Sequence, residues 1–481
     1  MRAIVGVLDK KGENAAQKVV AMLEALKHKG ADAFTVASSD HLQIKTSLEQ
    51  MQSLDFKTSV ALGHVFLKVL AQEKPQLLML KKARAVFDGR IYQPPNADLN
   101  HIAGRLGGKT EANAEAMLRE FDGSFAFAIA EAERLIVGRD TLGLYPLYYS
   151  ENEDLFAVAS ECKALWKIGL KEVNSFPPGH IAVIDKKCAR IKTVKTLRSF
   201  GVHHITMKEA AEKLQRLLQK SVEERVSGLK EVAVAFSGGL DSSLTAFLAK
   251  KAGIKVNLIY VSLENQPQTE QAQEAAALLE LPLHSYLYSE NDVEKVLPKV
   301  LWAIESSDPV TTSIGVPVFW AAEKAAEMRF RVLLAGQGAD ELFGGYMRYL
   351  SVCLQHGEEA AQRKIFADIL RIYETNFERD SKICSFHNIE LRLPFATQEL
   401  AEFALSLPLR LKIEPTKSTL RKTVLRKAAE KMGLPPQIVN KPKKAVQYST
   451  GISKALKKIA KRNKLSLREY LQKVFQTSCN H

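Results

Sequence analysis

Between Glu231 and Ser243 the chain reads EVAVAFSGGLDSS, an apolar run that meets two glycines flanked by serines and then opens a helix. A strand ending in such a turn aims backbone N–H groups and the positive end of a helix at one point, which suits a phosphate. Gly238 and Gly239 let the backbone close on an anion with no Cβ in the way, and Ser237, Ser242 and Ser243 add hydroxyl donors. Asp241 can hold a divalent cation. The candidate phosphate-binding stretch therefore runs Ser237, Gly238, Gly239, Leu240, Asp241, Ser242, Ser243. No GxxxxGK[ST] string occurs, so this is not a Walker loop.

A second glycine-rich loop follows in LLAGQGADELFGGY, Leu333 to Tyr346. Asp340 is expected to meet Asp241 across the sheet edge, and two carboxylates with triphosphate oxygens make an oxygen cage for Mg2+. Alone, a glycine-serine turn or an Asp-Glu pair is usually a solvated turn. The complete string SGGLDSS behind an apolar strand, however, resembles the pyrophosphate loop of N-type ATP pyrophosphatases, which cleave ATP between the α and β phosphates. That resemblance adds Val261 and Gly336 to the ATP site.

The elements that must position these loops alternate. Val232 to Phe236, Val256 to Leu263, Leu283 to Tyr288 and Val332 to Ala335 are strand candidates separated by amphipathic helices, which predicts a doubly wound parallel sheet with ligands at its C-terminal edge. Upstream the pattern differs: strands at Ala3 to Leu8, Phe125 to Ala130, Leu135 to Gly138 and His180 to Ile184, with helices at Ala15 to His28 and Glu111 to Glu120, predict a layered α and β domain. The stretch from Leu197 to Thr206 has no clear period. Two domains are expected, 1–196 and 207–481, since 481 residues exceed what one core usually serves.

With 46% hydrophobic and 25% charged residues, the balance is that of a soluble globular protein, with neither a signal peptide nor a transmembrane run. Five cysteines without a CxxC pair or metal-ligand spacing fit a reducing cytosol, so a cytoplasmic location is expected. The net charge of +14 is concentrated between Lys441 and Lys473, where eleven Lys or Arg face a single acid, Glu469. Sparse aromatics there favour a solvated face with some phosphate contacts over a nucleic-acid footprint.

The two loops, in this order and spacing, resemble the synthetase domain of asparagine synthetases, and further matches run over nearly the whole chain. They include Glu305 with Asp308-Pro309, Glu390-Leu-Arg392-Leu-Pro394-Phe395, the KxxxR pair Lys422 and Arg426, and Lys441-Pro-Lys443-Lys444. By this resemblance Lys443 contacts the reacting phosphate and the acyl intermediate. The first half resembles the family's glutaminase domain, an Ntn-hydrolase-like αββα layered fold, through Leu62-Gly-His64, Phe87-Asp-Gly-Arg90, Phe121-Asp-Gly123 and Gly138-Arg-Asp140. Its active residues depart from the pattern. Arg2 stands where the nucleophilic cysteine belongs, Phe66 in place of the arginine that binds glutamine, Asp88 in place of the oxyanion-stabilising asparagine, Arg90 in place of a glutamate and, on a looser match, Lys109 in place of an aspartate. An arginine cannot serve as the nucleophile, and a carboxylate repels an oxyanion.

The resemblance implies a carboxylate attacking the α-phosphorus of ATP, then an amine displacing AMP. Gln337 departs from the acidic residue usual at its position and cannot accept a proton at neutral pH, so Glu341, solvent or an unprotonated amine becomes the acceptor. Three readings follow. The first is an ammonia-dependent asparagine synthetase with an inactive glutaminase domain, taking small carboxylate and amine substrates, with a homodimer compatible. The second is a β-lactam-synthetase-like ligase with a tyrosine and glutamate pair as base, for which Tyr346, Tyr349 or Tyr373 are candidates. The third is a nucleotide- or RNA-binding protein with little ligase activity.

Overall fold

The first strand, β1 (Arg2–Asp9), is apolar from Ala3 to Leu8 and is buried on both faces. Ala3, Val5 and Val7 join one core while Ile4 and Leu8 join another, as the two-residue side-chain period of a strand requires. A computed structural model describes residues 2–30, 32–51, 54, 56–71, 73–75, 77–80, 82–94, 110–198, 204–414, 420–442 and 445–479. The chain divides into two compact units, Met1–Thr196 and Leu197–His481.

After β1 the first unit contains β2 (Ala33–Ala37), β3 (Leu42–Lys45), β4 (Val60–Phe66), β5 (Leu77–Leu80), β6 (Ala83–Gln93), β7 (Asp122–Ala130) and β8 (Leu135–Arg139). Then come β9 (Tyr148–Glu151), β10 (Leu155–Ala159), β11 (Asn174–Ser175), β12 (His180–Ile184) and β13 (Ala189–Thr193). They form a seven-stranded sheet, β11-β9-β10-β1-β4-β2-β3, and a six-stranded sheet, β13-β12-β8-β7-β6-β5. Val60, Leu62, Val86, Ala128 and Val137 fill the core shared by the two sheets. Helices Ala15–Ala25 and Cys162–Lys167 cover the larger sheet, and Thr110–Glu120 the smaller. The four layers are the αββα arrangement the sequence predicts.

One helix is shorter than expected. It stops at Ala25 rather than His28, and a 3-10 turn, Lys27–Lys29, ends at Gly30 with φ 58°. The turn brings His28 Nε2 to 3.1 Å and Lys29 Nζ to 3.2 Å from Glu161, whose carboxylate is fully buried and also meets Lys163 at 2.5 Å. His28 is thus a structural partner of Glu161.

The second unit carries β14 (Glu231–Ala235), β15 (Lys255–Leu263), β16 (Leu283–Tyr288), β17 (Val332–Leu334) and β18 (Glu390–Arg392), all paired in parallel in the order β16-β15-β14-β17-β18. Helices Leu240–Lys251, Gln268–Leu278, Glu290–Ile304 and Pro309–Glu327 make the connections from β14 to β17. The strand order reverses at β14. The chain leaves β14 and β17 in opposite directions at their C-terminal ends, opening the crevice in which doubly wound sheets bind ligands. Among the described residues, no helix is long and apolar enough to cross a membrane.

Lys412, after the 3-10 turn Leu409–Leu411, is 2% exposed, and burial pushes its ammonium down to about 7 from 10.5. Between those values the unfolded chain binds the additional proton, so this residue makes stability rise with pH across that window, and the full cost of the buried charge is present below it. Lys412→Met is expected to raise the melting temperature near neutral pH and to flatten the rise toward alkaline pH. Thermal melts of both proteins across the window provide the check, and parallel curves would contradict the assignment.

Candidate active site

The loop between β14 and helix Leu240–Lys251 is laced by its own hydroxyls. Ser237 N–H donates to Ser242 Oγ at 3.2 Å, the two Oγ atoms lie 3.1 Å apart, and Gly239 N–H donates to Ser237 Oγ at 3.3 Å. Gly238 takes φ 66°, and a Cβ there would lie 2.8 Å from Ala272 Cα. Left-handed backbone alone costs an ordinary residue about 1–2 kcal/mol. Gly238→Ala is therefore expected to weaken ATP binding by roughly tenfold or more, read by titration with the nucleotide; unchanged affinity would show that the turn does not cradle it.

At the end of β17, Gly336 lies directly against this helix, since a Cβ on it would sit 2.8 Å from Asp241 Cβ. The close approach brings the two predicted carboxylates together. Lys422 lies between them, its Nζ 2.6 Å from Asp241 Oδ2 and 2.7 Å from Asp340 Oδ1, with its side chain 3% exposed. Lys422 adopts φ 63°. Gly345 completes the arrangement: a Cβ there would fall 2.0 Å from Asp340 Oδ1 and 2.3 Å from Lys422 Cε. The KxxxR spacing marked Lys422 in the sequence, but its place between Asp241 and Asp340 was not legible.

A cavity of about 540 Å³ opens over these groups. Ser237, Asp241, Ser242, Val261, Gly336, Gln337, Asp340 and Glu341 line it. Two expectations need correction. Ser243 is fully buried and does not line the cavity, because successive helix residues point about 100° apart, so its hydroxyl is not a phosphate donor in this geometry. The Leu240 side chain is likewise buried, leaving only its backbone to face a ligand.

Away from the glycine loop the lining is made of buried polar groups. Glu341 Oε1 accepts from Tyr346 Oη at 2.8 Å and from Asn376 Nδ2 at 2.7 Å. Burial, and then Asp340 beside it, push the Glu341 carboxyl above its ordinary value. Burial and Glu341 likewise push the Tyr346 phenol far upward. Gln337 Nε2 donates to Asp380 Oδ2 at 2.6 Å, so a carboxylate 43 residues further on stands beside the amide. Tyr349 bonds Asp368 and Tyr373 bonds Glu374, separately from Glu341.

Lys443 and Lys109 lie outside the described residues. Lys441, two positions before Lys443, donates from Nζ to Gly238 O at 3.2 Å and to Gln271 O at 3.1 Å. Arg426 holds this segment from below, donating to the carbonyls of Val439 and, at 3.0 Å, of Lys441. Other quoted motif residues are scaffold: Glu305 pairs with buried Lys382 at 3.2 Å, and Glu390 with Arg392 at 2.6 Å.

In the first unit, Phe66 on β4 is opposite Arg2 of β1 in the strand register and is buried. Asp88 and Arg90 belong to β6 in the other sheet, with Asp88 buried and Arg90 Nη2 held 2.7 Å from Glu73 Oε1.

An αββα unit followed by a parallel sheet whose first strand runs into a glycine-serine loop is the architecture that the resemblance to ATP-dependent amide ligases implies. The asparagine synthase family model matches residues 213–356 and 353–478, and a glutamine amidotransferase domain model matches 72–167. A putative glutamine-hydrolysing asparagine synthetase 1 of Methanocaldococcus jannaschii is 30% identical over 533 aligned positions, covering 98% of each chain. The glutamine-hydrolysing asparagine synthetase of Gallus gallus is 26% identical, over 70% of this chain and 64% of its own. Asparagine synthetase 2 of Arabidopsis thaliana is 27% identical, over 71% and 61% respectively. The chain belongs to the asparagine synthetase family.

Proposed function

We propose that this ligase activates the side-chain carboxylate of aspartate with ATP and amidates it with ammonia, not glutamine. A carboxylate oxygen attacks the α-phosphorus, pyrophosphate leaves, and ammonia then attacks the acyl carbon to release AMP and asparagine. The observation that carries this reading is the convergence of the glycine loop, Asp241, Asp340 and Lys422 at the end of β14 and β17.

Asp241 and Asp340 converge on Lys422 Nζ at 2.6 and 2.7 Å, and the two carboxylates would hold a cation carried in with the triphosphate alongside that ammonium, not in its place. Mg2+ there would neutralise charge on the departing pyrophosphate. The Ser237 and Ser242 hydroxyls and the loop N–H groups orient the phosphates, Val261 lines the cavity where the base would lie, and Lys443 is assigned to the charge that develops in transfer.

Gln337 holds Asp380 and takes no proton. The acceptor is Glu341, whose carboxyl burial and then the neighbouring Asp340 push above its ordinary value, making its carboxylate a stronger base. Tyr346 donates to Glu341 at 2.8 Å and orients it, a tyrosine and glutamate pair of the kind the β-lactam-synthetase-like reading also calls for.

In the first unit, Arg2, buried Phe66, Asp88 and an Arg90 engaged with Glu73 support the absence of glutamine hydrolysis. With ATP, Mg2+ and aspartate, ammonium is expected to give asparagine, AMP and pyrophosphate, whereas glutamine gives neither asparagine nor glutamate. Glutamate release from glutamine would overturn the ammonia assignment, and no product with ammonium would overturn the amidation itself.

A further inference from the structure

Helix Ile452–Arg462 divides into two faces. Ile452, Ala455, Leu456, Ile459 and Ala460 are buried against helices Glu290–Ile304 and Pro309–Glu327, while the outer face carries five exposed Lys or Arg and no acid. Lys458 and Arg462 reach Glu290 and Glu294, each at 3.0 Å. Lys454, Lys457 and Lys461 have no acidic partner among the described residues, and neither have Lys464 in the following turn and Arg468 at the start of helix Leu467–Cys479. The acid beside them, Glu469, is engaged with the Ser466 N–H at 2.9 Å.

At about 1.5 Å and 100° per residue, Lys454, Lys457 and Lys461 fall within about 60° of one another and span about 10 Å of helix axis. Their charge does not serve the helix. Like charges four residues apart, as in Lys454 with Lys458 and Lys457 with Lys461, weaken it. A bilayer is disfavoured as the partner, because the apolar face that would have to enter lipid is already buried in the core. What the surface offers is a row of ammonium groups, point charges suited to phosphate. A nucleic-acid strand presents a phosphate about every 3.4 Å along its axis, so the stripe covers about three of them.

A second observation stands just ahead of the stripe. Tyr448, in the short helix Val446–Ser449, is 70% exposed, and its carbonyl accepts from the Gly451 N–H at 3.4 Å where the basic helix opens. An aromatic ring open to water next to a cationic row gives an unpaired base a face to stack on. The geometry points to a single-stranded nucleic acid lying along Lys454, Lys457 and Lys461, held by its phosphates, with one base on Tyr448. Base identity is not read, since these side chains lack the forks and amides that pair with base edges. None of the four residues lines the ligase cavity, so the inference stands apart from the proposed reaction.

The test is fluorescence anisotropy with labelled oligo(U), oligo(dT) and a duplex of equal length, alongside poly-glutamate and phosphatidylserine vesicles as competitors. The two single strands are expected to bind alike, with a Kd on the order of 10 µM at about 0.1 M salt and a slope of log affinity against log salt of about −2 or steeper. The duplex should bind at least about threefold more weakly, because its paired bases cannot stack on Tyr448. Changing Lys454, Lys457 and Lys461 together to Gln should weaken oligo(U) roughly 100-fold and flatten the slope by about 2, whereas the same three changed to Arg should bind as the parent does. Tyr448→Ala should weaken binding about fivefold or more and leave the slope unchanged.

The Gln variant is expected to melt at or above the parent temperature, since like charges have been removed from the helix. No binding to the parent at about 50 mM salt overturns the inference. So does a duplex, poly-glutamate or vesicle bound as tightly as oligo(U), a Gln variant that keeps its affinity, an Arg variant that loses it, or a Tyr448→Ala protein equal to the parent.

Discussion

Lys422→Met is expected to reduce aspartate-dependent ATP–pyrophosphate exchange by roughly 10³-fold or more, the scale on which a single preorganised charge at a transition state is felt. The ammonium is the common partner of Asp241 and Asp340, at 2.6 and 2.7 Å. Without it two largely buried carboxylates face each other, and neither geometry nor charge is right for a triphosphate. Breaking a buried pair from one side also costs about 3–5 kcal/mol, so unfolding of the second unit should shift as well. Lys422→Arg is expected to fail nearly as badly, since Gly345 leaves Lys422 Cε no room for a broader head group. Isotope exchange and a denaturant melt on each variant provide the readout. Exchange within tenfold of the parent would mean that Lys422 is scaffold only.

The second large effect is expected in the first unit. Glu161 is fully buried with Lys163, Lys29 and His28 around it. Burial alone would raise its carboxyl, but Lys163 and Lys29, with the hydrogen-bonded His28, outweigh burial and hold it well below its usual value of 4.5. A carboxyl depressed by folding stabilises above its unfolded pKa, and the contribution is lost as pH falls through the folded value. Glu161→Gln leaves Lys29, itself buried, without its counter-charge, and should cost about 3–5 kcal/mol at neutral pH. Its acid denaturation should begin with that deficit already present. Urea unfolding of the first unit at neutral pH, and again below pH ~4.5, compares the two proteins. A neutral-pH difference under about 0.5 kcal/mol would contradict this.

What the sequence shows of the site follows from how local each feature is. The strand, turn and helix from Glu231 to Ser243 are contiguous, so glycine chemistry and apolar period suffice to place them. The parallel order of the second unit follows from alternation, and the layered first unit from runs such as Ala3 to Leu8 that are apolar at every step. Lys422 is a different case. It reaches Asp241 from 181 residues away, on a left-handed backbone that no propensity predicts for lysine.

The pairing of Gln337 with Asp380 was hidden for the same reason. By its position in the sequence Gln337 stands where the resemblance implies an acid. The structure adds that another carboxylate stands beside its amide. Ser243 failed in the opposite direction: a phosphate-loop serine by pattern, it turns inward because its neighbour Ser242 already occupies the cavity face. The first helix ends earlier than its period predicts because Lys29 and His28 are drawn to Glu161, a tertiary attraction that outweighs helix propensity.

Attack by the substrate carboxylate on the α-phosphorus leaves a mark on the products that no other cleavage of ATP produces. Aspartate labelled with 18O in its side-chain carboxylate, incubated with ATP, Mg2+ and ammonium, should yield AMP carrying one labelled oxygen per turnover and unlabelled pyrophosphate. Label appearing in inorganic phosphate alongside ADP, or AMP formed without label, would contradict the account at its centre.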